Sequence, residues 1–147
     1  MEAELRSIVA YAGGRERAAA RAADAIRRDL KQRWVGIYEV GEREIEIIGW
    51  SGQQGLPAHP RFPLTDGLCG TAVASRETVI AADVRLDPRY LETFETTRSE
   101  IIVPILLNGH VNGLIDVESD RVNAFGERER SRLERAAAVL SPLWVRS

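Results

Sequence analysis

The acid chemistry of this 147-residue sequence is concentrated in Gly113-Leu114-Ile115-Asp116-Val117-Glu118, where two carboxylates stand two positions apart in a β-rich run. That spacing puts Asp116 and Glu118 on one face of a strand and Ile115 and Val117 on the other. Glu100 opens the preceding run, Glu100 to Leu107, and Asn108-Gly109 between the two runs is the favoured pair for a type I′ hairpin turn. Three carboxylates on one sheet face are the expectation if the hairpin pairs Glu100 in step with them. If the polar segment from Asp83 to Thr97 covers that face, the acids are partly desolvated and would bind a cation or an ammonium group, or raise one another's pKa. If the face is open to water, they pair with nearby arginines instead. Alternation is compatible with both arrangements.

Cys69 follows Thr65-Asp66-Gly67, whose capping side chains predict a short helix over Leu68 to Ser75. A thiol at a helix N-terminus can be activated by the helix dipole, whereas a lone cysteine between glycines is more often a small buried residue. His59 and His110 are the only histidines, and with one cysteine they form no spaced ligand set for zinc or iron. No catalytic triad is visible, and Gly67 to Thr71 lacks the lysine of a phosphate loop, so no cofactor is expected. Trp34 and Tyr38 lie on a β-rich run and are candidates for a pocket wall.

The elements that must position these residues follow from periodicity. Glu2 to Lys31 is helical in pattern, with Leu5, Ile8, Val9 and Ala12 and then Ala22, Ala25, Ile26 and Leu30 at helical spacing, and Gly13-Gly14 predicts a break between two helices. Trp34 to Val40 and Glu44 to Trp50 read as a hairpin. Ser51 to Pro63 reads as a loop leading to an edge strand near Arg61 to Leu64, and Thr78 to Ala81 as a short strand. A helical turn is expected around Arg89 to Phe94, and an amphipathic helix over Glu127 to Val145. The sum is one α+β domain over residues 1–147: an N-terminal helical segment, 1–31, a core, 33–125, and a C-terminal helix, 126–147.

A formal charge of −2 supplies no field for nucleic acid or an anionic membrane, and no apolar run approaches a membrane span. With no cationic leader and one cysteine, a cytoplasmic address is expected.

Five segments then act together: Arg33-Trp34-Val35-Gly36-Ile37-Tyr38, Gly67-Leu68-Cys69-Gly70-Thr71-Ala72, Ala82-Asp83-Val84, Ser99-Glu100-Ile101-Ile102-Val103-Pro104 and Gly113-Leu114-Ile115-Asp116-Val117-Glu118-Ser119. In this order and spacing they resemble the GAF-domain free methionine-(R)-sulfoxide reductases. The resemblance implies a central antiparallel sheet with the terminal helices on one face and a pocket on the other, and a homodimer through those helices. It also implies a ligand site built from Trp34, Glu100, Asp116 and Glu118, to which the residue pattern adds Tyr38. Such reductases carry three cysteines, and this chain keeps only Cys69, the other two positions falling on His59 and Thr93. Glu118 replaces an aspartate of the family. Sulfoxide reduction needs an attacking thiolate and a second thiol to resolve the sulfenic acid. The expectation is therefore a sensor- or signalling-type domain for a small amine-bearing or zwitterionic metabolite. The alternative is a divergent reductase using Cys69 as its catalytic residue with an external thiol.

Overall fold

Gly13 and Gly14 interrupt an otherwise helical sequence, and the chain accordingly forms two helices, α1 (Glu2–Tyr11) and α2 (Arg15–Leu30). The computed structural model describes residues 1–11 and 13–145, so Ala12 of the helical pattern, and Arg146 and Ser147 of the C-terminal segment, lie outside the described residues. Lys31 closes α2 in the left-handed conformation, and the chain then enters the hairpin β1 (Trp34–Val40) and β2 (Glu44–Ser51). After β3 (Arg61–Pro63) come α3 (Gly67–Ser75), β4 (Val79–Ala81), β5 (Ser99–Leu107), β6 (His110–Ser119) and α4 (Glu127–Leu140). The expected Asn108-Gly109 turn is present, both residues having positive φ, 55° and 80°.

All six strands join one antiparallel sheet in the order β3-β2-β1-β6-β5-β4. Two details depart from the sequence-based expectation. The segment after β4 forms a short 3-10 turn at Val84–Leu86, where a helical turn was predicted over Arg89 to Phe94. Asp83 fixes that turn by accepting a hydrogen bond from the Arg85 backbone N–H, a local side-chain competitor to further helix. The C-terminal helix also ends five residues early, at Leu140, where Pro142 converts the chain to a 3-10 turn over Ser141–Trp144.

The two sheet faces have different partners. Val35, Ile37, Ile101, Val103, Ile105, Ile115 and Val117 pack against α1, α2 and α4 in one apolar core. The fit is close: a Cβ on Gly49 would lie 2.4 Å from the Ala20 backbone nitrogen, so this glycine sets how near α2 approaches β2. The opposite face carries Trp34, Tyr38, Ile102 and Leu114, with Val79 and Ala81 of the edge strand β4, under α3 and the segment that links β4 to β5. This is the side on which the acids stand.

Candidate functional site: a buried carboxylate cluster

Strand register brings the three carboxylates together. Glu118 is paired directly with Glu100 across β5 and β6, and Asp116 with Ile102, so all three side chains leave the sheet toward α3. On the other flank Trp34 is paired with Glu118, and Gly36 with Asp116. Gly36 leaves room for the Trp34 ring to lie over its own strand, since a Cβ there would come within 2.4 Å of the indole. Each acid has at most 4% of its surface exposed, and one oxygen of each lies within 4.8 Å of the others. The arginine-paired, water-facing arrangement is thereby excluded for this cluster, because the described residues give Glu100, Asp116 and Glu118 no ion pair.

One polar contact is fixed by the protein: the Thr97 hydroxyl donates to Glu118 Oε1 at 2.8 Å. Among the described residues, Glu118 Oε2 and Asp116 Oδ1 are buried without a hydrogen-bond partner. Buried polar atoms are rarely left so, and two charges 4.8 Å apart repel by about 3.5 kcal/mol even at an effective dielectric of 20. Burial above all, then the neighbouring Glu118 charge, pushes the Glu100 carboxyl well above the usual carboxylate range. Burial and then the Glu100 and Glu118 charges do the same to Asp116. Both acids are therefore held toward their protonated forms where ordinary carboxylates are ionised.

The cluster floors a cavity of about 20 Å³, room for a water molecule. Tyr38, Cys69, Glu100 and Asp116 line it from below, and Leu91, Glu92 and Thr93 from the segment between β4 and β5. The residues 83–97 thus cover the acids as the sequence suggested. Glu118 belongs to the cluster but not to the cavity wall. Trp34 stands behind the wall: it is fully buried, donates from Nε1 to the Gly55 carbonyl at 2.9 Å and meets Phe94 edge-on at 5.2 Å between ring centres. Tyr38 packs edge-on against Phe62, and burial followed by the Asp116 charge raises its phenol well above the ordinary value.

Cys69 occupies the first turn of α3, but it is buried. Burial first, then the Glu100 and Glu118 charges, pushes its thiol well above the ordinary value. A helix terminus contributes about 0.3–1 kcal/mol, less than one pKa unit, whereas full burial moves a pKa by up to several units. Desolvation therefore wins over the dipole, and the thiol keeps its proton. His59 and Thr93 also line the cavity, with the Ala58 N–H donating to the Thr93 carbonyl at 3.1 Å. Three sequence-distant positions, 59, 69 and 93, thus meet at one opening, and only one of them is a thiol.

Thr97 is the polar partner that sequence reasoning missed. It sits two residues before β5 in the hydroxyl-rich stretch Thr96-Thr97-Arg98-Ser99, where alternation has not yet begun and no spacing singles it out.

The GAF domain family matches residues 14–141 of the chain. Protein YtsP of Bacillus subtilis is 33% identical over 107 residues, covering 73% of this chain and 65% of that protein. The free methionine-R-sulfoxide reductase of Saccharomyces cerevisiae is 31% identical over 109 residues, covering 74% of this chain and 61% of that enzyme. The chain thus spans less than two thirds of either relative's length. Among solved structures, the free methionine-R-sulfoxide reductase from Neisseria meningitidis in complex with its substrate superposes with a TM-score of 0.88 at 28% identity, over 97% of this chain and 85% of that one.

Proposed function

We propose that this chain, which belongs to the GAF domain family, binds a small amine-bearing or zwitterionic metabolite over its carboxylate cluster and serves as a sensor- or signalling-type domain. The observation that carries this reading is the pair of orphaned oxygens, Asp116 Oδ1 and Glu118 Oε2, buried in a cluster that has no basic partner among the described residues. A cationic group would satisfy both at once. Tyr38 borders the same cavity, and Trp34 with Phe94 backs it. Because the cavity is only about 20 Å³, a metabolite larger than its amine must displace part of the segment that carries Leu91 to Thr93.

The relatives named as reductases make turnover the competing reading, and one observation favours it: Cys69 lines the cavity. Two observations weigh against it. The thiol is held protonated by its surroundings, and the positions beside it carry His59 and Thr93, neither of which can resolve a sulfenic acid. Turnover would need Cys69 to attack the sulfoxide sulfur and an external thiol such as glutathione to reduce the product. The terminal helices support a homodimer: Val9, Ala10, Val139 and Pro142 line an open apolar cleft between α1 and α4, and Tyr11 beside it is 82% exposed. No helix among the described residues is long and apolar enough to cross a membrane, and we take the cytoplasm as the site of action.

Calorimetric titration with methionine and with free methionine-(R)-sulfoxide, run beside an anaerobic turnover assay with thioredoxin, glutathione or dithiothreitol, tests the reading. Binding without turnover, lost in Glu100→Gln while the fold is kept, is the expected result. Turnover that disappears in Cys69→Ala would replace the sensor reading by the reductase one, and unchanged affinity in Glu100→Gln would sink the pocket assignment.

A further inference from the structure

Two segments meet over the cavity. Residues 52–59, between β2 and β3, bring His59 to its wall, and residues 88–96, between β4 and β5, bring Leu91 to Thr93. Among the described residues, the hydrogen bonds that leave 52–59 go to Arg33, Trp34 and Thr93. Those from 88–96 that reach beyond neighbouring residues go to Arg33 and Ala58. Both segments thus share the same anchor at the start of β1. Trp34 donates to the Gly55 carbonyl at 2.9 Å on one side and meets the Phe94 ring on the other. Arg33 Nη2 donates to the Thr96 hydroxyl at 3.0 Å, while Nη1 is paired at 3.1 Å with Asp120, just past β6. With the Gln54 amide oriented to satisfy both its atoms, Arg33 Nε donates to its oxygen at 2.6 Å and its nitrogen donates to the Arg33 carbonyl at 3.1 Å. Gly52 allows this approach: its φ is 139°, and a Cβ there would lie 2.4 Å from the Arg33 carbonyl oxygen.

The guanidinium is suited to this place because its planar fork serves three partners in fixed directions, which the single ammonium of a lysine does not. The Asp120 pair is open to water and adds little stability by itself, the acid being 57% exposed. Its effect is to aim the fork. Segments with so few bonds to the sheet open at low cost. Because the two hold each other through the Ala58 N–H and the Thr93 carbonyl, 3.1 Å apart, and share Arg33, opening one takes a partner from the other.

We propose that Arg33 is a positioning residue that clasps the two segments into one lid, so that residues 52–59 and 88–96 open and close over the cavity together. Access to the cavity is then set by one cooperative opening, controlled by a residue outside the cavity wall. Such a clasp operates in the empty protein, so it goes beyond the ligand reading above and fails independently of it.

Amide hydrogen exchange of the whole chain without ligand, read by NMR, tests the clasp. Gly55 and Ala58 report on one segment, and Tyr90 and Thr93 on the other, each through a hydrogen-bonded N–H. Thr96→Val removes the Arg33 contact of residues 88–96 alone, at an exposed site. It should speed exchange in both segments by about three- to tenfold, the factor for one hydrogen bond lost, and leave the Val103 and Ile115 amides of the sheet unchanged. Thr96→Ser keeps the hydroxyl and should restore protection in both. Arg33→Lys keeps the charge without the fork and should speed both. Acceleration confined to residues 88–96 in Thr96→Val, acceleration in neither segment, or an equal rise in the sheet amides would each overturn the proposal. Full protection in Arg33→Lys would overturn it as well, and if that variant does not fold, the two Thr96 variants decide alone.

Discussion

Strands β5 and β6 carry two unlike surfaces one residue out of step. On the helix side Ile101, Val103, Ile115 and Val117 are buried among apolar groups that match them. On the other side Glu100, Asp116 and Glu118 are buried just as deeply, with two oxygens unpaired. Equal burial has opposite energetic meaning on the two faces. An apolar side chain removed from water stabilises by about 1.5–3 kcal/mol, whereas an unpaired carboxylate removed from water is destabilising unless it keeps a proton or gains a cation. The helix face supplies the stability that lets the pocket face remain unsatisfied.

Removing buried volume from the helix face should have the largest effect. Ile115 is fully buried in the middle of β6, and Ile115→Ala should lower the unfolding free energy by about 2–5 kcal/mol in urea titrations at constant slope. A loss below about 1 kcal/mol would mean that the helix face is not the principal core. Next comes Thr97→Val, which keeps the shape but removes the one hydrogen bond that Glu118 receives from the described residues. The expected loss is about 1–3 kcal/mol, with weaker ligand binding, and a neutral result would show that Glu118 is held by something else.

On the pocket face the sign should reverse. Asp116→Asn removes a buried acid whose folded-state value is raised, and in the empty protein it should gain about 1–2 kcal/mol at neutral pH while losing ligand binding. The pH dependence follows from that raised value. A carboxyl whose folded pKa lies above its unfolded value holds its proton in the native chain and loses it in the unfolded chain, so its contribution is fully present below the unfolded value of about 4. It is lost as pH rises through the folded value. The advantage of Asp116→Asn should therefore grow from about pH 4 upward and vanish at more acid pH, and thermal melts across that range measure it. An advantage that grew toward low pH would contradict the raised value of the Asp116 carboxyl.

Much of this contrast was legible in the residues. The two-residue spacing of Asp116 and Glu118, with Asn108-Gly109 to fix the hairpin, placed the acids on one face, and the Gly13-Gly14 break and the strand runs placed the helices opposite. Long-range covering was less legible. Whether the acids meet water depends on where residues 83–97 return, which no local pattern encodes. Trp34 shows the same limit: strand parity puts it on the pocket face, but the Gly55 carbonyl and Phe94 draw it behind the cavity wall. For Cys69 the helix N-terminus was readable, and the burial that outweighs it was not.

The smallest effect on stability should come from the covering segment itself, where a different kind of interaction governs shape. Asp83 clips Arg85, and Asp87 clips Arg89, each through a backbone bond and a two-pronged guanidinium contact within three residues. These clips are local and largely solvent-facing, so Asp87→Asn should change the unfolding free energy by no more than about 0.5 kcal/mol. Their influence falls on the path to the cavity, because the second clip immediately precedes Tyr90, whose hydroxyl accepts from the Thr93 N–H, and Leu91 to Thr93, which line it. A loosened clip should speed methionine association and dissociation in stopped-flow measurements by a few-fold. The same substitution also removes a negative charge that acts on Glu100, which eases ionisation of the cluster and shifts the pH profile of binding downward. Rates that change with an unchanged melting temperature would separate the cover from the two faces of the sheet: one face sets stability, the other sets ligand chemistry, and the cover sets access.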